Sequence, residues 1–324
     1  MRRRDLLAGL LAATTASTLW AQQPSSKVWR VALCYPGTIG GPEREVVEVF
    51  RSELGRLGYV EGKNLVFDLW EANGRLERIP ALMDKLIALH PDVIVAVGNQ
   101  VVAAAQHATA TIPIVMWSVV DPVRFGFVSS LARPEGNTTG TTAVPDVSTS
   151  KAVELLHLLV PAAHRIAVLQ SPSQAQPLLL GLVKKAAEAI GLIVVPISAP
   201  TPADLDLAFS EIAAKECEAL FVPLQPTHNG PAIPLRAAKS KLPAVYQLLN
   251  FVEDGGLASY SDDHRQIARR SAYLVDRIFK GTRPADLPVE EPVTFILAVN
   301  LKAAAALGLT IPESILARAD KVIE

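Results

Sequence analysis

Cysteine is scarce. Cys34 and Cys217 are the only two in 324 residues, too few and too far apart for a disulfide framework or a zinc cluster. Each reads as a separate buried thiol acting as a small hydrophobe, with pairing in an oxidising compartment as the alternative. Charge of one sign is missing too. The 31 Lys and Arg against 32 Asp and Glu leave a formal charge of −1, and no polybasic block speaks for nucleic acid or anionic lipid. The apolar stretch Leu6–Trp20 is broken by Thr14, Thr15, Ser17 and Thr18, and it falls short of the ~20 apolar residues of a membrane-spanning helix. Catalytic signatures are absent as well: there is no G-x-S-x-G, no G-x-G-x-x-G and no Walker-type loop. The six histidines, His90, His107, His157, His164, His228 and His264, include no pair at metal-ligand helix spacing. Neither a cofactor nor a metal is expected, and an enzyme is disfavoured.

What is present begins at the N-terminus. Arg2-Arg3-Arg4-Asp5, the Leu6–Trp20 stretch and Ala21-Gln22-Gln23-Pro24 have the layout of a secretory signal, with cleavage expected near Ala21. The adjacent arginines before Asp5-Leu6-Leu7 weakly resemble a twin-arginine signal, the alternative to the general secretory route. No cysteine lies near the cut, so a lipid anchor is not expected and the exported chain is read as a free periplasmic protein. Removing residues 1–21 takes away Arg2, Arg3, Arg4 and Asp5, so the formal charge moves from −1 to −3. The remaining length suits two lobes with separate cores. Half the residues are hydrophobic and only 19% are charged, the composition of a well-cored globular chain.

After Lys27 short β-branched runs alternate with longer helical patterns. Val28–Tyr35, Leu65–Trp70, Asp92–Val97 and Ile112–Trp117 read as strands, with helices between them. Val93–Val97 and Ile114–Trp117 do not alternate with polar residues, as expected of parallel strands buried on both faces. The stretch Pro134–Thr142, rich in Gly, Thr and Pro, reads as a crossing between lobes. A second βα series follows it, and Pro284–Pro292 reads as another crossing. The fold class is therefore α/β, two Rossmann-like lobes with parallel sheets joined by a multi-stranded hinge. The N-terminal lobe is assigned residues 28–143 plus 257–287, the C-terminal lobe 144–256 plus 288–324. Strand ends at a domain interface make the interlobe cleft the default ligand site.

Several loops qualify as cleft contacts. Gly37-Thr38-Ile39-Gly40-Gly41 sits where a phosphate cradle would lie but matches no nucleotide spacing, and a cleft loop is the plainer reading. Gly98-Asn99-Gln100 opens a helix whose N–H groups suit an anion such as a carboxylate; alternatively Gly98 only permits a tight turn. Asp121 before Pro122 either caps a helix or meets a ligand ammonium. Tyr246-Gln247 ends a strand, where the tyrosine is either a ligand contact or a packed aromatic. His228 reads as a solvated turn histidine, with a side chain facing the cleft as the alternative.

The C-terminal block then narrows the choice. Gly281-Thr282-Arg283-Pro284-Ala285-Asp286-Leu287-Pro288-Val289-Glu290-Glu291-Pro292, Val299-Asn300-Leu301-Lys302, Ala306-Leu307-Gly308-Leu309-Thr310-Ile311-Pro312 and Leu316-Ala317-Arg318-Ala319-Asp320 closely resemble the ABC-transporter substrate-binding proteins of the tryptophan/tyrosine-binding type. So do Leu57-Gly58-Tyr59-Val60-Glu61-Gly62-Lys63-Asn64, Asp121-Pro122-Val123, the segment Ser130–Gly140, and Gly255-Gly256-Leu257-Ala258-Ser259-Tyr260. The resemblance implies a type I periplasmic-binding-protein fold. It also implies a periplasmic solute-binding component that closes on a small molecule and delivers it to an inner-membrane ABC permease, as a monomer. The cleft would then be lined by Pro36, Gly37 and Thr38, by Gly98, Asn99 and Gln100, and by Trp117, Ser118 and Asp121. From the second lobe it would take Gln170 and Ser171, Leu224 and Gln225, and Tyr246 and Gln247. Many relatives carry a small hydroxyl residue at the place of Asn99 and small residues along Trp117–Val120. Those departures weigh against an aromatic amino acid and leave an amino acid or related carboxylate as the expected ligand. A periplasmic sensing subunit that hands its signal to a membrane receptor is the alternative.

Overall fold

The computed structural model describes residues 27–224 and 230–324; the expected signal peptide, Gln225 and His228 lie outside the described residues. The first lobe is built from β1 (Trp29–Tyr35), α1 (Gly41–Arg56), β2 (Leu65–Glu71), α2 (Ile79–Ile87), β3 (Val93–Val97), α3 (Asn99–Ala108), β4 (Ile114–Val120) and β5 (Thr138–Ala143). Its five strands form one parallel sheet in the order β2-β1-β3-β4-β5. Successive side chains of a strand point to opposite faces, and here both faces are apolar. Val31, Leu33, Val93, Val95 and Val115 join one core, whereas Ala32, Cys34, Ile94, Ala96 and Met116 join the other. Phe50 and Leu54 of α1 cover the first face, and Met83 of α2 with Val101 and Ala105 of α3 cover the second. The unbroken apolar runs follow from this double burial.

The second lobe contains α4 (Pro145–Leu159), β6 (Arg165–Gln170), α5 (Gln176–Glu188), β7 (Ile193–Ser198), α6 (Leu205–Ala214), β8 (Ala219–Val222), α7 (Ala232–Lys239), β9 (Ala244–Tyr246), α8 (Leu249–Glu253) and β10 (Ala258–Asp262). After α9 (His264–Phe279) come β11 (Phe295–Asn300), α10 (Leu301–Ala306), α11 (Glu313–Leu316) and β12 (Lys321–Ile323). The sheet order is β12-β11-β10-β9-β8-β6-β7, parallel except where β11 runs against β10. The same two-sided burial recurs: Ile166, Val168 and Phe221 face one core, and Ala167, Leu169 and Leu220 the other.

Three features depart from expectation. The Thr/Gly-rich stretch expected as a crossing forms, from Thr138 on, the fifth strand of the first sheet, and the first crossing comes after it, at Val144. Its β-branched threonines suit a strand, while Gly140 (φ +144°) lets β5 pass β4 so closely that a Cβ would lie 2.3 Å from the Met116 backbone N and O. Residues 258–262, assigned to the first lobe, pair in parallel with β9 in the second sheet. Of the segment 257–287, α9 and Leu287 pack on the first lobe through Ile267, Ala272, Val275 and Leu287. Val289, assigned to the second lobe, packs in the first, beside Phe127 and Val128.

The lobes are thus joined at 143–145, 262–264 and 290–294. Backbone bonds tie these segments together: Thr142 N–H donates to Glu290 O (2.9 Å), Glu290 N–H to Gly140 O (2.9 Å) and Asp263 N–H to Thr294 O (3.0 Å). Cys34 and Cys217 are both free and buried, one in each lobe, and burial pushes the Cys34 thiol up to about 12. Among the described residues no helix is long and apolar enough to cross a membrane.

Candidate functional site

In both sheets the strand order reverses next to the first strand of the lobe, so neighbouring strands send their chains to opposite faces and leave a crevice at their carboxyl ends. A cavity of about 180 Å³ lies there, bounded by both lobes. The first lobe supplies Tyr35 at the end of β1 and Pro36 after it, Val97 at the end of β3 and Gly98 to Gln100 after it, and Trp117 and Ser118 from β4. From the second come Ser173 and Ala175 after β6, Leu224 after β8, and Leu248 to Asn250 after β9. Asp262 to Arg265, at the second crossing, and Glu43 of α1 complete the polar wall.

The expected loop after β3 is at the cavity, but its residues divide the work. Gly98 (φ +76°) makes the left-handed turn from strand to helix. Asn99 spends its amide on the neighbouring loop: Nδ2 donates to Val120 O (2.8 Å) and Oδ1 accepts from Val120 N–H (3.0 Å). It therefore positions the β4 loop. Gln100 keeps a buried Nε2 without a hydrogen-bond partner among the described residues. In β4 the register slips between Met116 and Val119, and Ser118 takes φ +53°. Ser118 N–H is held by Thr141 Oγ1 (3.2 Å). Such a bulge re-aims side chains, and Trp117, packed on Phe50 at 5.4 Å between ring centroids, lines the cavity with Ser118.

Other expected contacts lie elsewhere. Thr38 is exposed and its hydroxyl donates to Asn73 Oδ1 (3.1 Å), while Gly37 O accepts from Asn73 N–H (3.0 Å). These two hold a turn beside the cavity wall that Pro36 forms. Asp121 lies off the cavity lining, and its Oδ1 accepts from Arg124 N–H (3.2 Å), so it caps a turn. No helix follows it, because the chain after Pro122 continues as turns. Tyr246 is fully buried in the second-lobe core, stacked on Phe251 at 5.1 Å. It ends β9 with its ring in the second-lobe core cluster that Phe251 and Val252 of α8 share, and the cavity takes Leu248 to Asn250 beyond it instead. Gln247 is buried; its Nε2 donates to Thr149 Oγ1 (2.7 Å) and Ser148 Oγ (3.3 Å) of α4. Gln170 and Ser171 also lie outside the lining; the Gln170 carbonyl accepts from Ala199 N–H (2.8 Å).

The polar wall went unnoticed in the sequence. Glu43, in the first turn of α1, accepts a hydrogen bond from Asn250 Nδ2 of the opposite lobe. Burial, reinforced by Asp254 and Glu253, pushes its carboxyl up to about 7. Asp262 ends β10, directly before the N-cap of α9; it is 5% exposed, and burial raises its carboxyl to about 6 against the Val144 N–H that donates to it. Asp263 caps α9, accepting from Arg265 N–H (3.0 Å) and Gln266 N–H (3.1 Å). Burial pushes His264 down to about 4. Arg265 is spent on Glu45 (2.8 Å) and Glu253 (3.6 Å). A strand–helix junction carrying Asp262-Asp263-His264-Arg265 is the signal that would have marked this wall.

An apolar cavity with a few converging polar groups, built from both lobes at their strand ends, is a receptor for a small solute. Among the described residues no group of three or more His, Cys, Asp or Glu is placed to hold a metal ion. Residues 41–323 match the family model described as ABC transporter substrate binding protein. The chain belongs to that family. Its members capture small solutes for delivery to ABC permeases and generally work outside the cytoplasm, and they are not enzymes. A conserved domain protein from Vibrio cholerae O1 biovar El Tor superposes with a TM-score of 0.83 at 30% identity, covering 91% of this chain and 100% of that one. An ABC domain in complex with L-Trp from Streptococcus pneumonia gives a TM-score of 0.81 at 26% identity, covering 92% and 100%. The Tyrosine-binding protein of Clostridioides difficile strain R20291 is 28% identical over 243 residues, 74% of this chain and 70% of its own length. These likenesses establish the type I periplasmic-binding-protein fold and a solute-binding role in ABC transport.

Proposed function

We propose that this substrate-binding protein acts in the periplasm as a monomer, after cleavage near Ala21, and passes an unaltered amino acid or related small solute to an inner-membrane permease. The observation that carries the reading is a cavity walled by strand ends of both sheets. Closure is favoured only by a ligand that touches both walls at once. Pro36, Gly98, Gln100, Trp117 and Ser118 are the first-lobe contacts in this reading, and Ser173, Leu224 and Asn250 those of the second. The Trp and Tyr named for two relatives support the amino acid class.

The test is calorimetry and thermal-shift screening on chain stripped of bound solute by unfolding and refolding. An amino acid or a similarly small metabolite is expected to bind with one-to-one stoichiometry and leave chemically unchanged. Silence across a broad panel of amino acids and metabolites would overturn the reading.

A further inference from the structure

Taking the cavity as the solute site, which is the reading just proposed, we infer that its ligand carries a protonated amine and that Asp262 receives it. Asp262 lines the cavity and is 95% buried, as its 5% exposure states. Its Oδ1 has no hydrogen-bond partner among the described residues, while the carboxylate also accepts the Val144 N–H. A buried carboxylate oxygen left unpaired is costly, and native structures complete such groups with a donor. An ammonium supplies up to three N–H donors together with the opposite charge.

The surrounding charges favour the same ligand. The cavity wall carries Glu43, Glu253, Asp262 and Asp263 against one arginine. That arginine, Arg265, is engaged by Glu45 and Glu253, and Lys321 is bound to Glu253. His264 is held neutral above about pH 4 by burial. A ligand with only a carboxylate would face unbalanced negative charge in a poorly solvated site, and a neutral one would leave the field uncompensated. Leu33, Val47, Trp117, Leu179, Leu224 and Ile296 are the apolar wall and take the body of the molecule. Asp262 also stands at the second crossing and is bonded to the first through Val144, so an amine seated on it contacts the hinge itself. Burial has raised Asp262 to about 6 and Glu43, with Glu253 and Asp254 facing it, to about 7. A bound cation draws both down, so binding releases protons and strengthens as the pH rises through that range.

The experiment uses tryptamine, tryptophan and indole-3-propionate as cation, zwitterion and anion, with phenyl and alkyl series of the same three charge types. Each is titrated calorimetrically into the wild-type chain, Asp262→Asn and Glu43→Gln at pH 5.5 and pH 8. Binders are expected among the amines and zwitterions, about tenfold tighter at pH 8. The anions are expected to fail at both pH values. Asp262→Asn is expected to weaken amines at least about tenfold, and Glu43→Gln to flatten the pH dependence, each variant's folding being checked by its melting curve. Anions binding as tightly as the amines, or amine affinity unchanged in Asp262→Asn, would overturn the assignment. A ligand found only among the anions would do so while leaving solute capture intact. No binder of any charge would overturn both.

Discussion

Asn99 works with its side chain turned back onto its own lobe. Its amide reads both polar groups of the Val120 backbone, and Val120 is 5% exposed, so no solvent would replace either bond. Each buried backbone group left without a partner costs about 1–3 kcal/mol. Asn99→Ala is therefore expected to lower unfolding free energy by about 2–4 kcal/mol in denaturant titration and to loosen the Ser118 loop. A loss below about 0.5 kcal/mol would mean that the loop is held by β4–β5 pairing alone. The chemistry of this residue was legible as an Asn at a helix start; its partner, 21 positions away, was not, because nothing local to residue 99 encodes the approach of the β4 loop. Asp121 shows the converse: the Asp-Pro pair correctly signals a cap, but of a turn. The ammonium acceptor proposed here is Asp262, which local pattern hides between two elements.

At the scale of elements, periodicity was informative wherever a segment is buried on both faces, as β3, β4 and β6 are. It failed for β5, whose sequence Thr-Thr-Gly-Thr-Thr-Ala carries turn residues although every position is buried. It also missed α8 and β12, elements of five and three residues whose place is set by packing. Tertiary contact explains the glycine in β5. A Cβ at position 140 would strike the Met116 backbone, which no rotamer change relieves. Gly140→Ala is expected to cost at least about 3 kcal/mol. Gly181→Ala, in the middle of α5 with open space around it, is expected to gain about 0.5–1 kcal/mol. Parallel urea melts check the pair. A Gly140→Ala cost below about 1 kcal/mol would show that β5 can move away from β4.

For the whole molecule, the decisive feature is that acidic groups are buried where the two lobes face each other. Glu43 belongs to α1 of the first lobe and takes its hydrogen bond from Asn250 in α8 of the second. In the unfolded chain its carboxyl titrates near 4.5, in the folded chain near 7. Well below pH 4.5 both states hold the proton. Between about 4.5 and 7 the folded state alone retains it, so unfolding free energy falls as pH rises through that window. Above it both states are ionised, and the folded chain bears the full cost of the buried charge. Asp262 acts in the same direction between about 3.8 and 6. His264 opposes them, its neutral folded form favoured between about 4 and 6.5, and other shifted carboxyls such as Asp254 and Glu218 add to a bare stability–pH curve. A difference between wild type and Glu43→Gln removes these other groups. Glutamine resembles the protonated acid, so the two chains are expected to melt together near pH 4.5. At pH 8, without ligand, Glu43→Gln is expected to be more stable by about 1–3 kcal/mol. The amine proposed above is expected to shrink or reverse that difference, because its charge compensates both Asp262 and Glu43 in the wild-type chain and Asp262 alone in the glutamine chain. Melting curves at the two pH values, with and without tryptamine, check both halves. An unchanged difference between pH 4.5 and 8 would mean that the interlobe wall leaves Glu43 solvated.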